Sequence, residues 1–253
     1  MIEKLNKKIN TLIKDKEYKF HPRFRIEKKD LLDTALSNYK ISSIAELGCV
    51  WGIDCSYGIY SLEKYNLKNV QMVDTNWTRT ALDRVSQYPQ IQVFQDDFSD
   101  STIAKNIGQV DAVIFFDILL HQVAPDWYRI LEMYSKQTNY FIIFNQDWVR
   151  TNLTTRLLDL GEEEYFECVP HNKDESPYTN LFENLYKIHP KHKKIWRDVH
   201  NIWKWGITSE DLIFTMKKLG FQLEYFKNHG TIGNLEHFEE HAYIFKKIMI
   251  SCD

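Results

Sequence analysis

The sequence predicts an α/β fold in which helices cover both faces of a seven-stranded, mostly parallel sheet. Between residues 43 and 144, short apolar segments alternate with segments of helical spacing, and this alternation is typical of parallel strands joined by crossover helices. The strand candidates are continuous apolar runs, as expected for strands that are buried on both faces. A length of 253 residues suits one such domain with an added segment.

Seven strands and the helices that connect them can be placed from these patterns. We expect strands at residues 43–47, 70–73, 91–94, 110–116, 140–144, 221–226 and 242–245. We expect helices at residues 2–13, 29–38, 53–65, 78–87, 101–107 and 209–219. Another helix should begin at Pro125, because proline is favoured in a first helical turn. Gly220 should end the helix that precedes it.

The alternation of strands and helices stops between residues 147 and 206. Residues 150–160 and 178–205 have helical spacing, with an interruption at Pro190, and residues 162–164 are three glutamates expected in a solvated turn. We therefore expect a helical cap inserted after strand five. The predicted organisation is an N-terminal helical segment over 1–40 that covers the site, a core over 41–147, the cap over 148–206, and a closing helix and strands over 207–253.

Charge and cysteine usage disfavour several classes of function. The formal net charge is −3, so no global basic field favours nucleic acid as a partner. The four cysteines form neither a Cys-x-x-Cys pair nor a zinc spacing, and a reduced, cytoplasmic compartment is expected. The most apolar run, over 110–120, is too short to span a membrane and contains two aspartates, so no membrane partner is expected.

The segment over 46–52 places an acid and two glycines directly after the first strand. Gly48 permits a sharp turn where a side chain would strike a ligand, and open parallel sheets bind ligands beyond the carboxyl ends of their strands. Asp74 ends the second strand, 26 residues after Gly48, where a carboxylate can accept both hydrogen bonds of a ribose diol. A dinucleotide fingerprint would need glycine at Val50 and Ile53, so a nicotinamide or flavin oxidoreductase is disfavoured.

Two later segments extend this pattern, one over 95–98 after the third strand and one over 116–121 after the fourth. Together with the turn and Asp74, they resemble the class I S-adenosylmethionine-dependent methyltransferases of the small-molecule type. The resemblance covers residues 44–144 and implies a Rossmann-like fold, S-adenosylmethionine as cofactor, and a cap that sets substrate selectivity. Val50 departs from the family at the usual middle glycine. The cofactor-binding residues that the resemblance implies are Glu46, Gly48, Cys49, Gly52, Asp74, Asp97, Phe98 and Phe116.

The expected reaction needs few catalytic groups, because the methyl group of a sulfonium is already activated. The protein must align the acceptor with the methyl group, and a neutral hydroxyl acceptor also needs a base. His121 is the first candidate base, although it could instead start a helix and bind the backbone. Asp117 is the second catalytic candidate, or it steers the methionine end of the cofactor. The residues expected to bind the substrate are Asp147, Trp148, Arg23 and Arg25.

A metal site is an alternative that the sequence leaves open. Asp117, Asn145 and Asp147 are oxygen ligands of the kind that suit a hard cation, and catechol-type methyltransferases bind magnesium with acids and an amide at the same two strand ends. Their spacing differs from the adjacent Asp-Asn pair of those enzymes. We therefore expect no metal.

The leading functional expectation is methyl transfer, at oxygen rather than nitrogen, to a small polar metabolite. By analogy alone, the acceptor would be a sugar- or phosphate-linked precursor of a bacterial surface polysaccharide. An RNA or protein methyltransferase is an alternative. A catalytically inactive binding protein with the same fold is another, because Val50 and Trp51 are unusual in the cofactor turn.

Overall fold

The computed structural model describes residues 21–199 and 202–248, which contain one seven-stranded sheet. Its strands are β1 (Ser43–Leu47), β2 (Asn69–Asp74), β3 (Ile91–Gln95), β4 (Val110–Phe116), β5 (Thr138–Trp148), β8 (Phe221–Ile232) and β9 (Leu235–Lys247). They lie in the order β3-β2-β1-β4-β5-β9-β8. The first five are parallel, whereas β9 is antiparallel to both of its neighbours. The prediction of a seven-stranded, mostly parallel sheet is confirmed.

Helices cover both faces of this sheet. They are α1 (Ile26–Asn38), α2 (Ser56–Tyr65), α3 (Arg79–Val85), α4 (Ser101–Ile107), α5 (Trp127–Ser135), α6 (Glu162–Cys168), α7 (Leu181–Asn184) and α8 (Ser209–Lys218). Buried residues of α1, α2 and α3 form one apolar cluster with Ile142 and Phe144 of β5. Buried residues of α4, α5 and α8 form another with Phe141 and Ile143. Successive residues of β5 therefore face opposite layers, as the pleat of a strand requires.

The segment between β5 and α8 differs from the predicted helical cap. It contains a two-stranded ribbon of β6 (Thr155–Arg156) and β7 (Trp205–Gly206), the two short helices α6 and α7, and single helical turns. The long helices expected over 150–160 and 178–205 are therefore wrong, and residues 162–164 begin α6 instead of forming a turn. The apolar residues of this segment pack in a third cluster around Trp148 and Phe238, so tertiary contacts rather than helical periodicity account for their spacing.

The N-terminal part of the prediction can be compared only from residue 21 onward. The helix expected over 2–13 lies outside the described residues. The next helix, α1, begins at Ile26, three residues before its predicted start. No helix within the described ranges is long and apolar enough to cross a membrane.

Candidate active site

The turn after β1 lies where the strand order of the sheet reverses. β1 pairs with β2 on one side and with β4 on the other, and ligands of open α/β sheets bind in the crevice at this point. Gly48 has a φ of 68°, and its N–H donates to the carbonyl of Val73 at 2.8 Å. A Cβ on Gly48 would lie 3.0 Å from Cγ2 of Ile118. The turn therefore needs glycine for both its backbone conformation and the space above it.

Two carboxyl groups lie against the backbone around this turn. Asp74 accepts the N–H of Val50 at 2.9 Å through one oxygen and that of Asn76 at 2.9 Å through the other. The buried Glu46 accepts the N–H of Gly58 at 2.8 Å. Burial, together with the charge of Asp74, raises the pKa of Glu46 to about 8, against the effect of this hydrogen bond. Glu46 is therefore largely protonated at neutral pH, whereas its role at the cofactor stays a prediction.

Gly58 in α2 is needed for the packing of this helix beside the turn, and the sequence alone did not indicate its role. A Cβ on Gly58 would overlap Cε of Met72 and lie 2.7 Å from Oε2 of Glu46. Gly58 thus allows α2 to approach β1 and β2 closely. The available signal was a glycine inside a helix, which helix propensity disfavours unless close packing needs it.

The remaining residues of the turn lie close to Gly48. The thiol of Cys49 is buried 3.7 Å from that of Cys55, and burial raises its pKa, which makes Cys49 a poor nucleophile. Gly52 has a φ of 73°, and a Cβ on it would lie 2.9 Å from the guanidinium of Arg23. Arg23, expected to bind substrate or the cofactor carboxylate, therefore lies against the turn.

The segment expected to border adenine also reaches the turn. Phe98 is buried, and its ring lies 4.0 Å from the position of a Cβ on Gly48. Asp97 accepts the N–H of Ser99 at 2.9 Å. The structure thus brings Phe98 to the turn, and the adenine contacts of Asp97 and Phe98 stay predictions.

Asp117 follows β4 and has a φ of 58°, which is rare for a residue other than glycine. One carboxylate oxygen forms an ion pair with Lys28 of α1, and the other accepts the amide of Gln146 at 2.6 Å. The side chain of Asp117 remains 31% exposed. Lys28 and Gln146 were not predicted as site residues, since no local pattern links them to Asp117. The structure places them 89 and 29 residues away from it in sequence.

Arg25 is engaged in a second ion pair beside the first. Its guanidinium binds both carboxylate oxygens of Glu240 in β9 and lies over the ring of Phe144, 5.4 Å from its centroid. Its backbone N–H donates to the hydroxyl of Tyr57 at 3.0 Å. Arg25 therefore attaches the start of α1 to the sheet, and its predicted substrate contact stays a prediction.

His121 lies in a single helical turn, Leu119–His121, after β4. Its Nδ1 is 3.0 Å from the carbonyl oxygen of Ile202. A carbonyl can only accept, so a neutral His121 carries its proton on Nδ1, and its Nε2 is the basic atom. The backbone contact that was the alternative interpretation of His121 is therefore present, and its role as a base stays a prediction.

Asp147 and Trp148 do not reach the crevice. Asp147 has no exposed surface, and its carboxylate forms hydrogen bonds with the side chains of Asn145, Ser209, His241 and Tyr243. Trp148 is 2% exposed and packs against Phe238 and Gly206. The alternation of side chains along β5 explains the difference from prediction for Asp147, because Gln146 faces the layer of α1 while its two neighbours face the layer of α8. Trp148, at the end of β5, is covered by the third apolar cluster.

The same alternation separates the oxygen ligands that the metal alternative requires. Gln146, rather than Asn145 or Asp147, is the β5 residue that contacts Asp117. Within residues 21–199 and 202–248, no three His, Cys, Asp or Glu side chains are grouped as a metal site would need.

No protein-family model matches this chain, and no curated protein matches it. Among solved structures, the N-terminal domain of EvdMO1 with S-adenosylhomocysteine and D-fucose is 12% identical, with a TM-score of 0.55 over 96% of this chain and 97% of that one. The 1,6-didemethyltoxoflavin-N1-methyltransferase of Burkholderia thailandensis is 9% identical, with a TM-score of 0.54 over 88% and 78%. An O-methyltransferase family protein of the same species is 11% identical, with a TM-score of 0.51 over 87% of this chain, which spans only 56% of that protein. This chain therefore has the Rossmann-like fold of the class I S-adenosylmethionine-dependent methyltransferases.

Proposed function

We propose that the protein binds S-adenosylmethionine in the crevice beside β1 and methylates a hydroxyl group of a small polar molecule. The observation that carries this proposal is the turn at Gly48, where a positive φ and a missing Cβ open the backbone at the point of strand reversal. Similar folds crystallised with S-adenosylhomocysteine support the choice of ligand.

The residues around the turn fit the parts of this cofactor. Asp74 lies at the end of β2, where a carboxylate can accept hydrogen bonds from a ribose diol. The Phe98 ring beside Gly48 offers an apolar surface to a purine. When bound, S-adenosylmethionine supplies a methyl group that is already activated by a sulfonium. The contribution of the chain is then to hold the acceptor in line, exclude water and take a proton from the hydroxyl.

A sugar is the acceptor class that we favour. The EvdMO1 domain was crystallised with D-fucose, and a sugar hydroxyl is neutral, so its methylation needs a proton acceptor. Nε2 of His121 can serve as that acceptor. We extend the proposal to a sugar- or phosphate-linked precursor of a surface polysaccharide.

Calorimetry tests cofactor binding directly. We expect S-adenosylhomocysteine to bind in the micromolar range, which corresponds to about −8 kcal/mol. Asp74→Ala should weaken binding by about 1–3 kcal/mol, because buried polar groups of the ligand lose a charged acceptor. Asp74→Asn is the matched variant, because it keeps one acceptor for the backbone N–H of Val50. The melting temperature of each variant shows whether weaker binding comes from a lost ligand contact or from a destabilised turn. Unchanged affinity in a folded Asp74→Ala variant would place the ribose elsewhere, and no binding by the parent protein would favour an inactive binding protein.

Substitution of His121 tests the proposed base. We expect His121→Ala to lower turnover by about 10²–10⁴-fold with nearly unchanged cofactor affinity. The measurement is S-adenosylhomocysteine formation with a panel of sugars and sugar phosphates. His121→Asn is the matched variant, because its amide can still donate to the carbonyl of Ile202 but cannot accept a proton. If His121→Asn is as active as the parent, the histidine acts only through its backbone contact.

A further inference from the structure

A buried lysine lies among aromatic rings in the crevice. Lys28 of α1 is 6% exposed, and its ammonium lies 5.8, 5.7 and 5.4 Å from the ring centroids of Tyr57, Phe116 and Phe144. These rings come from the start of α2, the carboxyl end of β4 and the middle of β5. Such a set of ring faces stabilises a cation by its quadrupoles. These rings therefore stabilise the buried ammonium of Lys28.

The ion pair between Lys28 and Asp117 is one part of the charge around the crevice, which also includes Asp74 and Arg23 at the turn. Glu46 is largely protonated at neutral pH because burial raises its pKa to about 8, and Arg25 is neutralised by Glu240. Asp117 is fixed by Lys28 and by Gln146, yet it keeps exposed surface. Gln146 also has a buried carbonyl oxygen, Oε1, with no hydrogen-bond partner in the described part of the chain.

We propose that the Lys28–Asp117 pair sets the preference of the cofactor site for a sulfonium over a neutral thioether. The exposed carboxylate of Asp117 attracts a positively charged sulfur. The buried ammonium of Lys28 holds this carboxylate in place and, through its own positive charge, reduces the preference for the sulfonium. Asp117 follows the carboxyl end of β4, which pairs with β1 where the strand order reverses, and ligands of open α/β sheets bind at this point. The proposal rests on the proposed function, because it assigns the charge selectivity of the same site.

The two members of the pair should then act in opposite directions. S-adenosylmethionine and S-adenosylhomocysteine share their amino, carboxylate, ribose and adenine groups, so their affinity ratio isolates the charge on sulfur. Asp117→Asn should lower the ratio of S-adenosylmethionine to S-adenosylhomocysteine affinity by about tenfold, because it leaves an unopposed ammonium. Lys28→Met should raise the ratio by about the same factor, because it leaves an unopposed carboxylate. A purely structural role would lower both affinities together.

Calorimetric titration of each variant with each ligand measures the affinity ratio. Lys29→Met is the matched control, because Lys29 is the adjacent lysine of α1 but pairs with Asp33 and Asp30, and its ratio should equal that of the parent. Lys28→Arg keeps the charge and should also keep the ratio. Lys28→Gln, which removes the charge as well, replaces Lys28→Met if that variant fails to fold.

The outcomes separate this proposal from the proposed function. If the parent protein binds neither ligand, the proposed function fails. If both ligands bind and neither variant changes their affinity ratio, the charge selectivity is overturned while the function stands. If Asp117→Asn weakens both ligands equally, the carboxylate contacts a group that they share, such as the amine, and the proposal is again overturned.

Discussion

Asp147→Ala should lower the free energy of unfolding by about 3–5 kcal/mol, because it removes one partner from a buried charge network. Asp147 has no exposed surface, and it accepts hydrogen bonds from Ser209 at 2.9 Å, from His241 at 3.1 Å and from the hydroxyl of Tyr243. The network joins β5, β9 and the start of α8. Without the carboxylate, several buried donors lose their acceptor. Urea denaturation followed by fluorescence measures the loss.

The surface ion pair of Asp159 with Arg197 provides the control for this effect. The two groups lie 2.7 Å apart, but the side chain of Asp159 is 56% exposed. Asp159→Ala should therefore cost no more than about 1 kcal/mol. If the two alanine variants are equally stable, the buried network does not stabilise the fold.

The same network should make stability depend on pH. Burial opposes the protonation of His241, but the hydrogen bonds and charges of Asp147 and Glu239 outweigh burial and raise its pKa above 6.5. The stabilisation is complete below about pH 6.5 and is lost as the pH rises through the raised pKa of the folded state. Asp147→Asn should flatten this decline. Glu46 titrates alike in both proteins, so the difference between their stability curves isolates His241.

Gly48→Val should abolish detectable binding of S-adenosylhomocysteine, a loss of at least about 100-fold or 2.7 kcal/mol. A branched side chain on Gly48 would enter the crevice and meet Ile118, whose Cγ2 lies 3.0 Å from the position of the Cβ. The φ of 68° adds backbone strain of about 1–2 kcal/mol. Isothermal calorimetry with the variant at high concentration is the measurement.

A second glycine provides a control that distinguishes the effect of backbone strain from the effect of a side chain that blocks the crevice. Gly108, which follows α4, has the same φ of 68°, but a Cβ there meets nothing within 4 Å. Gly108→Val should lower the melting temperature and leave ligand affinity unchanged. Binding by a folded Gly48→Val variant would mean that the ligand lies away from this turn.

The success of the strand predictions depended on burial. The predicted strands at 43–47 and 110–116 coincide with β1 and β4, because strands covered on both faces are continuous apolar runs. β8 was predicted to end at residue 226 but continues to Ile232. Most of its residues are exposed, and its length follows from pairing with β9 in a hairpin. The predicted part, residues 221–226, is itself mostly exposed, so burial does not define the length of this strand.

The candidate site was predictable where it depends on local sequence. The turn at Gly48 and the acid at Asp74 are features of short segments, and the structure brings both to the strand reversal. Lys28, Gln146 and Glu240 were missed because their partners lie far away along the chain. A single sequence does not indicate which charged residues, far apart along the chain, form ion pairs in the folded protein.

The pairing of Arg25 with Glu240 spans 215 residues of chain, so the start of α1 is attached to the sheet by a residue that is synthesised much later. During synthesis, a nascent chain that has already folded β1 to β5 still lacks β9, the strand that pairs with β5 and holds the start of α1. Contacts of such long sequence separation form late, because loop closure must precede them. A ribosome-bound chain stalled before β9 should therefore be unable to capture its ligand, and ligand capture would report that β9 has emerged and joined the sheet.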